Sequence, residues 1–102
     1  MPERLGICVA GKDHFRHVLG LTRAARAAGR SVEIFFTGEG VQLTQDPRFS
    51  QLIGAARVSV CEVSYIGHGF QGKPLEGLGD KDFVTQGRNA EMVDECDRYV
   101  IL

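Results

Sequence analysis

The sequence predicts an α/β fold: a three-layer α/β/α domain built on a five-stranded parallel sheet. Three observations carry this. Short runs rich in Val, Ile and Phe alternate with stretches of helical periodicity, the order that joins parallel strands through crossover helices. The first of these runs is nearly continuous in its apolar character, as in strands covered on both faces. The chain has 102 residues, 43% hydrophobic and 25% charged, which are ordinary values for one globular domain. Residues 1–102 are therefore read as a single domain.

Each element follows in order. Arg4 to Ala10 (RLGICVA) reads as a first strand in the sheet interior, ended by Gly11. Asp13 is positioned to cap a helix running to about Ala28. Phe15, Val18, Leu19, Thr22 and Ala25 form its apolar stripe, and Arg16, Arg23, Arg26 and Arg30 fall mostly on the solvated side. Gly29 stands where helices end in a left-handed residue. Ser31 to Thr37 (SVEIFFT) is a second strand, followed by Gly38-Glu39-Gly40, where a tight turn is expected. Pro47 opens a short helix ending near Gly54. Arg57 to Val63 (RVSVCEV) is a third strand, and a short helix from about Ser64 stops at Gly67 to Gly69. A glycine-rich loop covers 71–81, with Lys81 to Gln86 as a short fourth strand. Asn89 is read as the cap of a last helix through Glu95, before a fifth strand, Arg98 to Leu102 (RYVIL).

Composition excludes several function classes. The net charge is −1 and no long Lys/Arg run occurs, so the basic footprint that nucleic acid or an anionic membrane surface requires is missing. No apolar run approaches the roughly 20 residues of a bilayer span. With no basic-then-apolar leader pattern, the cytoplasm is the expected compartment. Three cysteines, Cys8, Cys61 and Cys96, are too few and too scattered for a disulfide framework, and free thiols are expected. There is no C-x-x-C pair.

In open parallel sheets, ligands and reactive groups collect beyond the carboxyl ends of the strands. Gly11-Lys12-Asp13-His14, Gly38-Glu39-Gly40 and Cys61 all fall there. Gly38-Glu39-Gly40 matches neither a P-loop nor a dinucleotide fingerprint. His14 and His17 form an i, i+3 pair, but no third ligand can be located, so no metal and no organic cofactor is expected. Cys61 is the strongest candidate. A thiol becomes a nucleophile as thiolate, and a strand-to-helix junction supplies N–H groups that favour that form. The competing reading is a small buried hydrophobe. Cys8, inside strand one, and Cys96, at a helix end, are read as packed.

The segment Cys61-Glu62-Val63-Ser64-Tyr65-Ile66-Gly67-His68-Gly69 resembles the cysteine segment of the DsrE-like sulfur-relay family, which includes the TusB, TusC and TusD subunits. Ile34-Phe35-Phe36-Thr37-Gly38-Glu39-Gly40-Val41 is similar to that family's second strand and glycine-bearing turn, and Cys96-Asp97-Arg98-Tyr99-Val100-Ile101-Leu102 to its terminal strand. Family members often carry Arg where His68 stands here. The resemblance implies a homotrimer or hexamer, or a hetero-oligomer with related subunits. It also implies a sulfurtransferase-like role in which Cys61 passes a persulfide sulfur between donor and acceptor proteins. His68 is then a candidate assisting group, holding the thiolate or shuttling a proton. Two alternatives stand beside this reading: a non-catalytic structural subunit in which Cys61 is packed, and a module of the same fold that binds a nucleotide or metal.

Overall fold

A computed structural model describes residues 3–102. Five strands form one all-parallel sheet: β1 (Arg4–Val9), β2 (Ser31–Phe36), β3 (Arg57–Cys61), β4 (Phe83–Val84) and β5 (Arg98–Ile101). Their spatial order is β4-β3-β2-β1-β5. Strand β1 lies inside the sheet, between β2 and β5, as its apolar run predicts. Three α-helices cover the sheet: α1 (Phe15–Ala27), α2 (Glu62–Gly67) and α3 (Gln86–Glu95).

Strand alternation divides the core in two. Ile7, Val9, Val32, Ile34, Phe36, Val58 and Val60 share one face and pack with α1, with Tyr65 of α2, and with Phe49 and Leu52. Cys8, Phe35 and Cys61 share the other, where Met92 of α3 meets them. Three sets of elements thus cover the first face. A single ten-residue helix covers the second, and Met92 is its one buried side chain.

All five residues of the stripe expected on α1 are buried. Gly29 closes the helix at φ 77°, a left-handed conformation that glycine adopts without a Cβ penalty. Gly20 lies mid-helix on the exposed side of α1, and a Cβ there would meet nothing within 4 Å. Glycine in a helix interior costs about 1 kcal/mol relative to alanine. Gly20→Ala is expected to stabilise the fold by about that amount, read as a rise in the urea midpoint; an unchanged or lower midpoint would contradict the open surroundings.

Several local expectations are corrected. Helix α1 begins at Phe15 with His14 at its N-cap and no side-chain cap, so Asp13 does not fill that role. Helix α3 begins three residues before Asn89. Thr85 caps it, its hydroxyl accepting from the Gly87 N–H at 3.3 Å. Asn89 lies within the helix and accepts from the Tyr99 hydroxyl at 2.6 Å, a tertiary partner that outweighs local capping preference. The glycine turn after β2 opens a 3₁₀ helix, Gly38–Gln45, and the Pro47 segment is also 3₁₀, Pro47–Leu52, capped by Asp46, which accepts from Arg48 N at 2.8 Å. Strand β3 stops at Cys61, and α2 starts at the next residue. Among the described residues no helix is long and apolar enough to cross a membrane.

Candidate active site around Cys61

The connections of this sheet place Cys61 at a special point. Strands β1, β2 and β3 are each followed by elements packed on the first face, whereas β4 is followed by α3 on the second. The chain therefore leaves the neighbouring strands β3 and β4 toward opposite sides. Cys61 and Val84, register partners across β3 and β4, stand at the carboxyl ends of those strands.

Three neutral side chains converge there. Thr37 follows the last residue of β2, Ser64 is the third residue of α2, and Gln86 is the first of α3. The Gln86 amide donates to the Thr37 hydroxyl at 2.8 Å and lies 3.8 Å from Cys61 Sγ. The Gly38 N–H donates to the Ser64 hydroxyl at 3.0 Å, and the two hydroxyls are 3.5 Å apart. Either hydroxyl can donate to the other across that contact, and both are among the groups that lower the Cys61 pKa. Cys61 is also the N-cap of α2; its side chain makes no capping hydrogen bond, but the N–H of Ser64, two residues beyond the first helical one, is near enough to favour the thiolate.

The electrostatic result follows. Burial pushes the Cys61 thiol up, but the Ser64 hydroxyl and N–H, the Thr37 hydroxyl and the Gln86 amide together outweigh it and hold its pKa below the ordinary thiol value. The other two thiols go the opposite way. Burial raises Cys8, with the Tyr99 hydroxyl only partly offsetting it. Burial and the Glu33 carboxylate push Cys96 up to about 11. Cys61 is also well covered, 4% exposed, while Cys96 is half-buried.

Not every residue singled out from sequence comes to this site. His68 caps the far end of α2, its ring stacked on Phe70 at 6.4 Å. At 1.5 Å per residue the seven steps from the N-cap to the C-cap of α2 carry it roughly 10 Å from Cys61, and it is absent from the groups that act on the thiol. The assisting role expected for His68 is therefore not supported by its position. The glycine-rich loop lies elsewhere, against α2. It packs on the first-face core through Leu75 and Leu78 and accepts from the Tyr65 hydroxyl at Lys73 O, 2.8 Å, enclosing a groove of about 510 Å³ against α2. His14 and His17 lie side by side, ring centroids 5.7 Å apart, beside Ile101 and Leu102. Among the described residues no group of three His, Cys, Asp or Glu side chains is placed to hold a metal.

Thr37, Ser64 and Gln86 were not singled out from sequence. The usable signal was positional: each stands within three residues of a strand's carboxyl end. No family model matches the chain, and no curated protein matches it.

Proposed function

We propose that Cys61 is a sulfur-carrying nucleophile, accepting a sulfane sulfur as a persulfide and handing it to a second thiol, the chemistry implied by the DsrE-like resemblance. One observation carries the reading: of the three thiols, Cys61 alone is ringed by donors that favour the thiolate, at the carboxyl end of its strand. The Cys61 thiolate attacks the outer sulfur of a donor R–S–SH. A bond forms from Sγ to that sulfur, the donor's S–S bond breaks, and R–S⁻ leaves. Cys61–S–SH results. An acceptor thiolate R′–S⁻ then attacks the same outer sulfur, giving R′–S–SH and restoring the Cys61 thiolate. No net oxidation occurs and no cofactor is consumed. The hydroxyls of Thr37 and Ser64 hold the charge on Cys61 before attack and after release. Gln86, an exposed residue, is the group that moves aside for a partner to reach the sulfur.

The low exposure of Cys61 favours a second reading, a structural subunit in which the thiol is only packed. Intact-protein mass spectrometry after exposure to glutathione persulfide separates the two. The carrier reading expects one added sulfur per chain, removed by reduction and lost in Cys61→Ser but kept in Cys8→Ser and Cys96→Ser. No uptake by the folded wild-type chain would leave the structural reading in its place.

A further inference from the structure

The second face of the sheet holds a charge that the thiol chemistry does not use. Glu33 sits mid-strand in β2, 5% exposed, between the apolar residues Val32 and Ile34. Its Oε1 accepts from Arg88 Nη2 at 2.7 Å, and the Arg88 side chain is itself only 13% exposed. Arg57 reaches the same oxygen from the surface at 3.4 Å, and the Cys96 thiol lies 3.6 Å from Oε2. Well-packed apolar residues often serve stability as well as a buried ion pair or better, so stability alone does not account for this one. Direction is what an ion pair adds. The guanidinium fork fixes the angle as well as the distance of what it holds.

Arg88 belongs to the first turn of α3, two residues after Gln86. Among the described residues that helix is the sole helical cover of the second face. Apart from the Gln86–Thr37 bond itself, it is held by Met92, the Asn89–Tyr99 bond, the Arg4–Glu95 ion pair at 3.5 Å, and Arg88 on Glu33. Of these, Arg88 acts nearest the end that carries Gln86. We propose that the Glu33–Arg88 pair is a positioning device for Cys61, seating the first turn of α3 so that the Gln86 amide lies over the thiol. The inference rests on Cys61 being the working thiol. Neither Glu33 nor Arg88 is among the groups that act on Cys61 directly, so their influence passes through Gln86.

That route makes a test by non-additivity possible. The readout is the pH dependence of Cys61 alkylation in the folded protein, with adduct sites assigned by peptide mass spectrometry. Gln86→Ala is expected to raise the Cys61 midpoint and so lower its thiolate fraction at neutral pH, because it removes one of the groups that favour the thiolate. Arg88→Met should raise it by a similar amount, and the double variant no further than Gln86→Ala alone. A merely structural role for the pair would lower the unfolding midpoint and leave the Cys61 titration where it was. A folded Arg88→Met protein with the wild-type titration overturns the proposal, as do shifts that add in the double variant. Should Arg88→Met fail to fold because Glu33 is stranded, Glu33→Met with Arg88→Met removes both charges and carries the same readout. The titration needs no sulfur donor. A wild-type protein that takes up no sulfur would therefore sink the carrier reading, while the positioning claim is still decided by the alkylation data.

Discussion

Treated with a small alkylating reagent at neutral pH, the folded protein is expected to lose Cys61 first, about tenfold faster than Cys96. Cys61 is held below the ordinary thiol value of 9.0 and Cys96 is pushed up to about 11. The gap is thus at least about two units, a hundredfold or more in thiolate fraction. Nucleophilicity falls with pKa, with a Brønsted slope of about 0.4–0.5, and this returns roughly a factor of ten to Cys96. The net advantage still lies with Cys61. Access works the other way, because Cys96 is half-buried and Cys61 is 4% exposed. The outcome therefore decides whether ionisation or access governs these thiols. If Cys96 reacts first and Cys61 only on unfolding, the donor ring around Cys61 does not serve chemistry. The same shifts set a sign for stability. The fold keeps the Cys96 proton up to about 11, whereas an unfolded chain releases it near 9.0. The unfolded state then binds fewer protons, and the Cys96 contribution lowers stability as pH rises through that window. Cys61 has the opposite sign: its lowered value favours the fold above the unfolded pKa, and that benefit is lost as pH falls through the folded one.

The fold was legible because its signals are local and repeated. The apolar runs at Arg4 and Ser31 mark strands buried on both faces, and the stripe from Phe15 to Ala25 marks the inner side of α1. Cys61 was legible for the same reason, as a thiol at the end of a strand. Its partners were not. Thr37 and Gln86 stand 24 and 25 residues from it in the chain, and Thr, Ser and Gln are common wherever loops begin. Only the parallel register, which sets Phe36 beside Val60 and Cys61 beside Val84, brings the ends of β2, β3 and β4 level. His68 failed for the converse reason. It is near Cys61 in sequence, and the helix between them converts that nearness into distance. Asp13 and Asn89 have the chemistry of caps, but the helices start elsewhere: Asn89 is engaged by Tyr99, and Thr85 already stands four residues ahead of it, just after β4.

Gly40→Ala is expected to cost about 3 kcal/mol, at the upper end of what overpacking a core contact does. A Cβ on Gly40 would stand 2.0 Å from the Val9 carbonyl oxygen and 2.7 Å from its carbon. Neither partner can yield cheaply. The Val9 carbonyl accepts from the Thr37 N–H at 3.0 Å, inside the β1–β2 edge, and Gly40 is itself tied to Ala10 O at 3.2 Å and Thr37 O at 2.9 Å. The 3₁₀ helix that begins at Gly38 must therefore lift away from the sheet, and it carries Val41, which is fully buried. That displacement also draws the Gly38 N–H off the Ser64 hydroxyl, a group that favours the Cys61 thiolate. Two readouts should move together: the urea midpoint falls with an unchanged m-value, and the alkylation midpoint of Cys61 rises. Gly20→Ala, the same chemical change on the open side of α1, should move the first in the opposite direction and leave the second alone. A Gly40→Ala protein of wild-type stability would show that the turn does not approach Val9 so closely. A destabilised one with an unaltered Cys61 titration would show that Gly38 and Ser64 do not set the thiol.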